Sequence, residues 1–307
     1  MCYSAQIEAS IKKMMREWNV TVDYAVAEAM FLRRLNDPRI KIPKAFEANF
    51  DRPNTPEEQR VKDLIEQYRA RTETQLQQDV FKQAKRLADA ERSLQSKDTK
   101  KAREEVRIAT AKIDANRERL ARLRAPDLNL DEQRIFPFHY APVIVNTNGV
   151  NVLTLARYHL RQKDSPEFVD RKYPGLYNAR RDNLEKFWRN EFGHSHALML
   201  VSSFFENVER EGKNVVLHFN PRPAQTMLIA CLYSAWTSPT EGEIRSFAAV
   251  TDEPPAEVAA AGHDRCIVNI QPGNVERWLT PEGRSTAELQ AILDDRQQPY
   301  YEHAIAA

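Results

Sequence analysis

The chain has 307 residues, 42% of them hydrophobic, and 45 lysines and arginines against 44 aspartates and glutamates, a net charge of +1. This length can bury one large core or two modest ones. The balanced charge excludes a global field that would recruit nucleic acid or a membrane surface, so any basic surface must be local.

Apolar runs and cysteines suggest where the protein works. No apolar run approaches the roughly 20 residues that a membrane helix needs, and the first residues lack the apolar stretch of a signal peptide. The three cysteines, Cys2, Cys231 and Cys266, have no zinc-site spacing and are too few for a disulfide framework. We therefore expect a cytoplasmic protein without membrane contact, with Cys231 and Cys266 as buried free thiols.

Cys2 follows the initiator methionine directly. If Met1 is removed, Cys2 carries a free α-amine, with a pKa of about 7.7–8.0, beside a thiol with a pKa of about 8.5. Such a 1,2-aminothiol condenses with an aldehyde to an imine, and its sulfur then closes a thiazolidine ring. On the residues alone, an accidental cysteine at a frayed terminus stays the alternative interpretation.

The N-terminal half is predicted to be helical, because the first 148 residues contain no glycine and all eight glycines fall at or after Gly149. Residues 5–35 have apolar side chains at helical spacing, which predicts one or two helices. A long polar segment, about 56–124, predicts an antiparallel helical hairpin with its turn at Ser96-Lys97-Asp98. The apolar positions of its two arms are Val61, Leu64, Ile65, Tyr68, Val80, Phe81, Ala84 and Leu87, then Val106, Ala109, Ile113, Asn116, Leu120 and Leu123.

The hairpin is locally basic. Residues 54–125 contain 18 lysines and arginines against 13 aspartates and glutamates. Two interpretations stay open for this segment, a solvated structural arm and a contact surface for nucleic acid or a protein partner.

The C-terminal half changes to short β-rich runs. Ala141–Val145 and Val150–Arg157 flank Asn146-Thr147-Asn148-Gly149, a hairpin signal. Further strands are predicted at His196–Phe205, Asn214–Phe219, Thr226–Trp236, Arg245–Thr251 and Arg265–Ile270, with helices at 182–191, after Pro254-Pro255, near Val275 and near Ser285. The fold class is therefore α+β: a mainly antiparallel β-sheet or barrel with peripheral helices and an inserted long helical hairpin.

Several polar residues of this half are candidates for chemistry. Glu206 ends an apolar run, where partial desolvation would raise its pKa toward acid–base use. His263 stands beside Asp264, which could hold one tautomer, and Asn178 lies in Asn178-Ala179-Arg180. Each also has a plain structural interpretation: a strand-end glutamate, a loop histidine and a helix N-cap. His194-Ser195-His196 lacks companions at metal-ligand spacing, so no metal site is predicted.

The order of these motifs resembles the SOS response-associated peptidase (SRAP) family. The shared pattern is Cys2 at the terminus, Tyr140-Ala141-Pro142 entering a strand, Asn178-Ala179-Arg180, Phe204-Phe205-Glu206 and His263-Asp264-Arg265 before an apolar strand. The resemblance covers roughly residues 1–50 and 128–290. It implies a catalytic domain formed by 1–53 and 128–307, with 54–127 inserted as a helical hairpin.

The resemblance also implies a function. Members process abasic sites in single-stranded DNA and form a covalent thiazolidine crosslink between the N-terminal cysteine and the ring-opened sugar aldehyde, without a cofactor. Carried over, Cys2 is the nucleophile, Asn178 holds its amine, Glu206 moves protons and His263 assists sugar opening. Arg180, Arg265, Pro142 and Thr251 would contact DNA. The same residues would remove Met1 autocatalytically, and we expect a monomer.

The chain departs from the family pattern at two DNA-contact positions. Ser4 stands where the family has arginine, and Asn207 where it has an aromatic side chain after the glutamate. We hypothesise that the basic hairpin supplies replacement contacts. Two other functions stay open: a cysteine-type peptidase acting on proteins, and a non-catalytic scaffold that uses the hairpin.

Overall fold

The computed structural model of the protein describes residues 3–8 and 10–306. In the N-terminal part, a first strand precedes two amphipathic helices. Ser10 and Asp23 cap these two helices by accepting backbone N–H groups, as Ser and Asp commonly do. The elements in this part are β1 (Ser4–Ile7), α1 (Ile11–Trp18), β2 (Thr21–Val22), α2 (Tyr24–Asn36) and α3 (Lys44–Glu47).

The predicted helical hairpin is confirmed as two long helices, α4 (Pro56–Ser96) and α5 (Lys100–Arg124), joined by a short turn. Thr55 and Thr99 cap them, and Pro56 occupies the first turn of α4, where its missing N–H is not needed. The base of α4 belongs to the body of the protein, because Val61 and Ile65 are buried in the same core as Phe31, Phe46 and Phe50.

The seam of the hairpin differs from the predicted one. Phe81 is 75% exposed and Ala84 is exposed as well. The inward face of α4 instead passes through Leu76, the polar Gln83 and Ala90. Because the packed face includes a glutamine, the spacing of hydrophobic residues alone predicted the wrong set of inward-facing positions on α4.

The C-terminal part contains the remaining strands and the shorter helices. The strands are β3 (Arg134–Ile135), β4 (Tyr140–Thr147), β5 (Val150–Tyr158), β6 (Asn178–Arg180), β7 (His196–Arg210), β8 (Lys213–Arg222), β9 (Met227–Ser238), β10 (Gly242–Asp252), β11 (Cys266–Ile267) and β12 (Tyr300–Ile305). The helices are α6 (Phe168–Lys172), α7 (Ala256–Ala260), α8 (Val275–Leu279) and α9 (Thr286–Asp294).

Five of these strands close into a barrel. β4 pairs with β5, β5 with β10, β10 with β9, β9 with β7, and β7 returns to β4; all but the β5–β10 pair are antiparallel. The α+β class with a mainly antiparallel barrel and peripheral helices is therefore confirmed. The strands β1, β6, β8 and β11 extend this barrel at its edges. The candidate site lies on β6, on β7 and in the segments that directly precede β1 and β11.

Alternation along the barrel strands separates two buried layers. On β7 and β9, Leu198, Leu200 and Ala230 pack in one cluster with α1, α2, α8 and α9, while Ala197 and Ile229 belong to the cluster on the opposite face. Both faces are apolar because helices cover the outside, which explains why these strands appear as continuous hydrophobic runs.

The Asn148-Gly149 turn was predicted correctly. Thr147 pairs with Val150, so only Asn148 and Gly149 connect β4 to β5, with φ of 52° and 82°. A two-residue turn with positive φ at both positions matches strand twist and favours Asn-Gly.

Two local predictions were wrong. Residues 4–7 form β1 rather than the start of a helix, because β3 and β7 pair with its two edges. Residues 182–191 form a 3-10 turn followed by irregular turns. Leu184, Trp188 and Phe192 are buried at helical spacing, but Trp188 N–H bonds to Asn183 O, five residues back.

No helix among residues 3–8 and 10–306 is long and apolar enough to cross a membrane.

Candidate active site

Glu206 is fully buried in the interior of β7, opposite Leu217 of β8. The sequence predicted the end of a strand here, but β7 continues to Arg210 because β8 pairs with it along its whole outer half. Burial raises the pKa of Glu206 well above its ordinary value, since the protein interior solvates a carboxylate poorly. The raised pKa favours the protonated form of this carboxyl group and suits Glu206 to a general acid role.

His263 contacts this carboxyl group directly. It follows α7 and Gly262, whose φ of +101° turns the chain back toward β7. Its Nε2 lies 3.3 Å from Oε2 of Glu206. Burial lowers the pKa of His263, which favours the neutral imidazole over the imidazolium.

The tautomer of His263 follows from its other nitrogen. Nδ1 lies 2.8 Å from the carbonyl oxygen of Arg265. The Arg265 N–H also approaches Nδ1, at 3.3 Å. The shorter contact is with the carbonyl, which can only accept, so it assigns the proton to Nδ1 and leaves the lone pair of Nε2 facing Glu206. The Arg265 backbone thus holds the ring in the role that the sequence assigned to Asp264.

The backbone of Tyr3 completes this group of contacts. Its N–H donates to Oε2 of Glu206 at 3.2 Å. One oxygen of Glu206 therefore lies between the amide of Tyr3 and Nε2 of His263. This arrangement lets Glu206 donate its proton to a reacting group and then take up a proton again from the imidazole of His263.

Asn178 and Arg180 reach the site on β6. This strand runs parallel to β10, with Asn178 beside Ala249 and Arg180 beside Thr251. Thr251 also pairs with Ile267 of β11, the strand that follows His263 and Arg265. The barrel edge therefore brings together segments that are far apart in sequence. Asn178 is buried, and it lies on a strand rather than at a helix N-cap.

The two arginines share one carboxylate. Arg180 donates two hydrogen bonds to Asp182, and Arg265 approaches the same carboxylate at 3.8 Å. Arg180 is exposed, whereas Arg265 is half-buried. Asp182 thus orients two guanidinium groups at one edge of the site, where they could bind phosphate oxygens.

The structure gives the location of two other predicted site residues and does not describe a third. Pro142 and Thr251 are buried in β4 and β10, so their proposed DNA contacts stay predictions. Cys2 lies outside the described residues. Its neighbour in sequence, Tyr3, is the first described residue and contacts Glu206.

The remaining histidine and cysteine candidates are structural. His196 is buried, with Nδ1 2.9 Å from the Trp278 carbonyl and Nε2 accepting the Gly193 N–H. No cluster of three or more metal-ligating side chains occurs in the part of the chain that the structure describes. Cys231 and Cys266 are buried free thiols, as predicted, and burial raises the pKa of both.

Sequence reasoning missed two participants. The Tyr3 contact is made by the backbone, which no side-chain motif reveals. Asp182 does have a signal, because an acidic residue two positions after Arg180 on an extended segment can fold back onto it. The pairing with Arg265 is visible only in the fold.

A family model described as SOS response associated peptidase (SRAP) matches residues 92–306. The chain belongs to this family. The matched range contains Asn178, Glu206 and His263 and starts within α4. Membership of the SRAP family indicates a role in abasic-site processing and an association with DNA.

Three solved structures are similar in fold to this SRAP member. A protein from Bacteroides thetaiotaomicron is 16% identical with a TM-score of 0.49, and the alignment covers 57% of this chain and 78% of that one. A protein from Bordetella bronchiseptica is 18% identical with a TM-score of 0.46, covering 60% and 90%. A phage-related protein from the same organism is 17% identical with a TM-score of 0.44, covering 60% and 85%. No curated protein matches the chain.

Proposed function

We propose that this protein captures abasic sites in single-stranded DNA through a thiazolidine formed by Cys2 after removal of Met1. The observation that carries this proposal is the contact of the Tyr3 N–H and His263 with one oxygen of the buried Glu206. The residue that follows Cys2 in sequence thus lies against a proton donor suited to imine chemistry.

The first step joins the Cys2 amine to the sugar aldehyde. The amine nitrogen attacks the carbonyl carbon and gives a carbinolamine. Loss of water then forms the imine, and the leaving oxygen needs a proton. Glu206, whose pKa is raised by burial, supplies that proton as a general acid.

The second step closes the ring. The Cys2 sulfur bonds to the imine carbon, the electron pair of the C=N bond moves to nitrogen, and the thiol proton ends on that nitrogen. The neutral Nε2 of His263 accepts and returns protons through Glu206. The sum of both steps is the release of one water, with no oxidant or reductant. The same pair can protonate the ring nitrogen and thereby assist reversal.

The surrounding residues hold the reactants. Asn178 provides a side-chain amide at the barrel edge to position the amine, and Arg180 and Arg265 provide cations for the flanking phosphates. Removal of Met1 would use the Cys2 thiol with the same acid–base pair. In this proposal 1–53 and 128–307 form the catalytic domain, and 54–127 is the inserted hairpin.

Denaturing gel electrophoresis tests the proposal directly. The protein is mixed with a single-stranded oligonucleotide that carries one abasic site. We expect a covalent band for the wild type, and no band for Cys2→Ala or for a protein with an uncleavable N-terminal tag, which removes the amine.

Other outcomes would identify the alternatives. Proteolysis of added substrates that survives the N-terminal tag would support a cysteine-type peptidase, since that activity needs the thiol but no free amine. A wild type that forms no adduct and cleaves no protein would support a non-catalytic scaffold.

A further inference from the structure

A tight turn beside the candidate site holds an aromatic residue in an unfavourable backbone conformation. The turn runs from Phe136 to His139 and is closed by the His139 N–H donating to Phe136 O at 2.9 Å. Pro137 occupies the second position, and Phe138 the third, with a φ of +71°. In turns of this kind the third position usually carries glycine or asparagine, because a larger side chain is strained there.

The ring of this phenylalanine is only partly covered by the fold. Phe138 is 38% exposed. One face of its ring stacks on the buried His159, at 4.3 Å between ring centroids and 19° between planes, and the Arg157 guanidinium lies 5.8 Å from the ring centroid. The Phe138 N–H donates to the Tyr158 carbonyl and fixes the turn on β5. These hydrogen bonds therefore hold an aromatic ring at the surface in a strained backbone conformation. Such strain often marks a functional position.

The turn is linked to the Glu206–His263 pair by one aromatic contact. The Phe136 ring packs edge-on against Tyr3, with centroids 5.8 Å apart. The backbone N–H of Tyr3 in turn contacts Glu206. A DNA strand whose abasic sugar reached this pair would carry its neighbouring bases past the turn.

Two lysines lie in segments that contact the turn or the histidine beneath it. Lys41 is exposed, and its carbonyl accepts the N–H of Tyr140, the residue that follows the turn. Tyr173 accepts a hydrogen bond from His159 through its carbonyl, and Lys172 lies 5.2 Å over the exposed Tyr173 ring. Exposed aromatic rings interleaved with cations are typical of surfaces that bind single-stranded nucleic acid.

We propose that Phe138 stacks on a base of the single-stranded DNA next to the abasic site, while Lys41 and Lys172 neutralise adjacent phosphates. This inference rests on the proposed function and names where the DNA strand lies. It also provides a stacking platform in a chain that has Asn207 in place of the family's aromatic residue.

Binding of undamaged single-stranded DNA tests the inference without any covalent chemistry. Fluorescence anisotropy would compare the wild type with Phe138→Gly, which removes the ring and tolerates the positive φ. Thermal unfolding would check that the variant is folded. We expect affinity to fall roughly five- to 150-fold, the loss that removing one base–aromatic stack causes. Phe138→Trp should retain binding, and Tyr300→Ala, which removes an exposed aromatic ring on β12, should leave it unchanged.

Unchanged affinity of a folded Phe138→Gly variant, or an equal loss in Tyr300→Ala, would overturn the inference. Lys41→Ala should lower the slope of log affinity against log salt by about 0.7. The reaction of Cys2 with a small aldehyde should be the same in Phe138→Gly and wild type. A wild type that binds DNA through Phe138 but forms no adduct would refute the proposed function and leave this inference standing.

Discussion

The catalytic proposal depends on a carboxyl group that stays protonated because it is buried. Glu206 has no exposed surface, and its contacts with His263 and the Tyr3 N–H involve a single oxygen. Such a group can act as a general acid at pH values below its raised pKa and loses that role once the pH exceeds it.

The pH dependence of crosslinking follows from two groups. The rate should rise with pH as the Cys2 amine loses its proton, and fall again as Glu206 ionises. In Glu206→Gln the falling limb should disappear, and the rate should drop roughly 10²- to 10⁴-fold. Single-turnover rates of adduct formation across pH would measure both effects.

The matched control is Glu209→Gln, an exposed glutamate on the same strand, which should keep the wild-type profile. A Glu206→Gln variant with an unchanged falling limb would show that another group is the acid.

At the residue scale, motif order identified Asn178, Glu206 and His263, and the structure places Glu206 and His263 in contact. Motif order could not identify Tyr3 or Asp182 as partners, because a backbone N–H has no sequence signature and the approach of Arg265 to Asp182 depends on the tertiary fold. The left-handed conformation of Phe138 was equally invisible, because phenylalanine gives no local signal for positive φ.

At the scale of elements, the hairpin was predicted well in extent and less well in phase. Its turn falls between Ser96 and Lys100, as the sequence indicated. The exposed Phe81 shows the limit of the periodicity, since polar positions such as Gln83 replace apolar ones on the packed face. The barrel strands were predicted from β-rich runs. The strand β1 was missed, because both of its edges form hydrogen bonds only with strands that are distant in sequence.

The tip of the hairpin tests whether this element touches DNA. Lys97, Lys100 and Lys101 are exposed there. If the hairpin supplies phosphate contacts, replacing all three by alanine should lower the slope of log affinity against log salt by up to about 2, at about 0.7 per lost contact on a single strand. Anisotropy with single-stranded DNA at several salt concentrations would measure it.

Replacing the exposed body lysines Lys12 and Lys163 by alanine provides the comparison. Equal slopes for the tip variant and the wild type would assign the hairpin a purely structural role or a protein partner.

At the scale of the whole molecule, buried histidines determine how stability depends on pH. Burial lowers the pKa of His196 to about 3 and that of His139 to about 4, from 6.5. Below pH 6.5 the unfolded chain binds protons that the folded protein does not, so stability falls as the pH falls. Glu206 has the opposite effect on stability. Its pKa is raised in the folded protein, so the folded state retains one proton that the unfolded chain releases.

We therefore expect the free energy of unfolding to decrease between pH 6.5 and 4. His196→Gln should reduce that slope by about 1.4 kcal/mol per pH unit, the contribution of one proton. Urea titrations at several pH values would measure it. His194→Gln, at the exposed neighbour, should leave the slope as in the wild type. Equal slopes for all three proteins would contradict this account.

The central claim is that the terminal amine and thiol of Cys2 together capture the abasic sugar. Its most direct test is the intact mass of the covalent product, followed by mapping of the modified peptide. We predict the mass of the protein without Met1 plus that of the oligonucleotide, less one water, with the modification on Cys2. A mature protein that retains Met1, or an adduct that maps to a lysine, would contradict the claim.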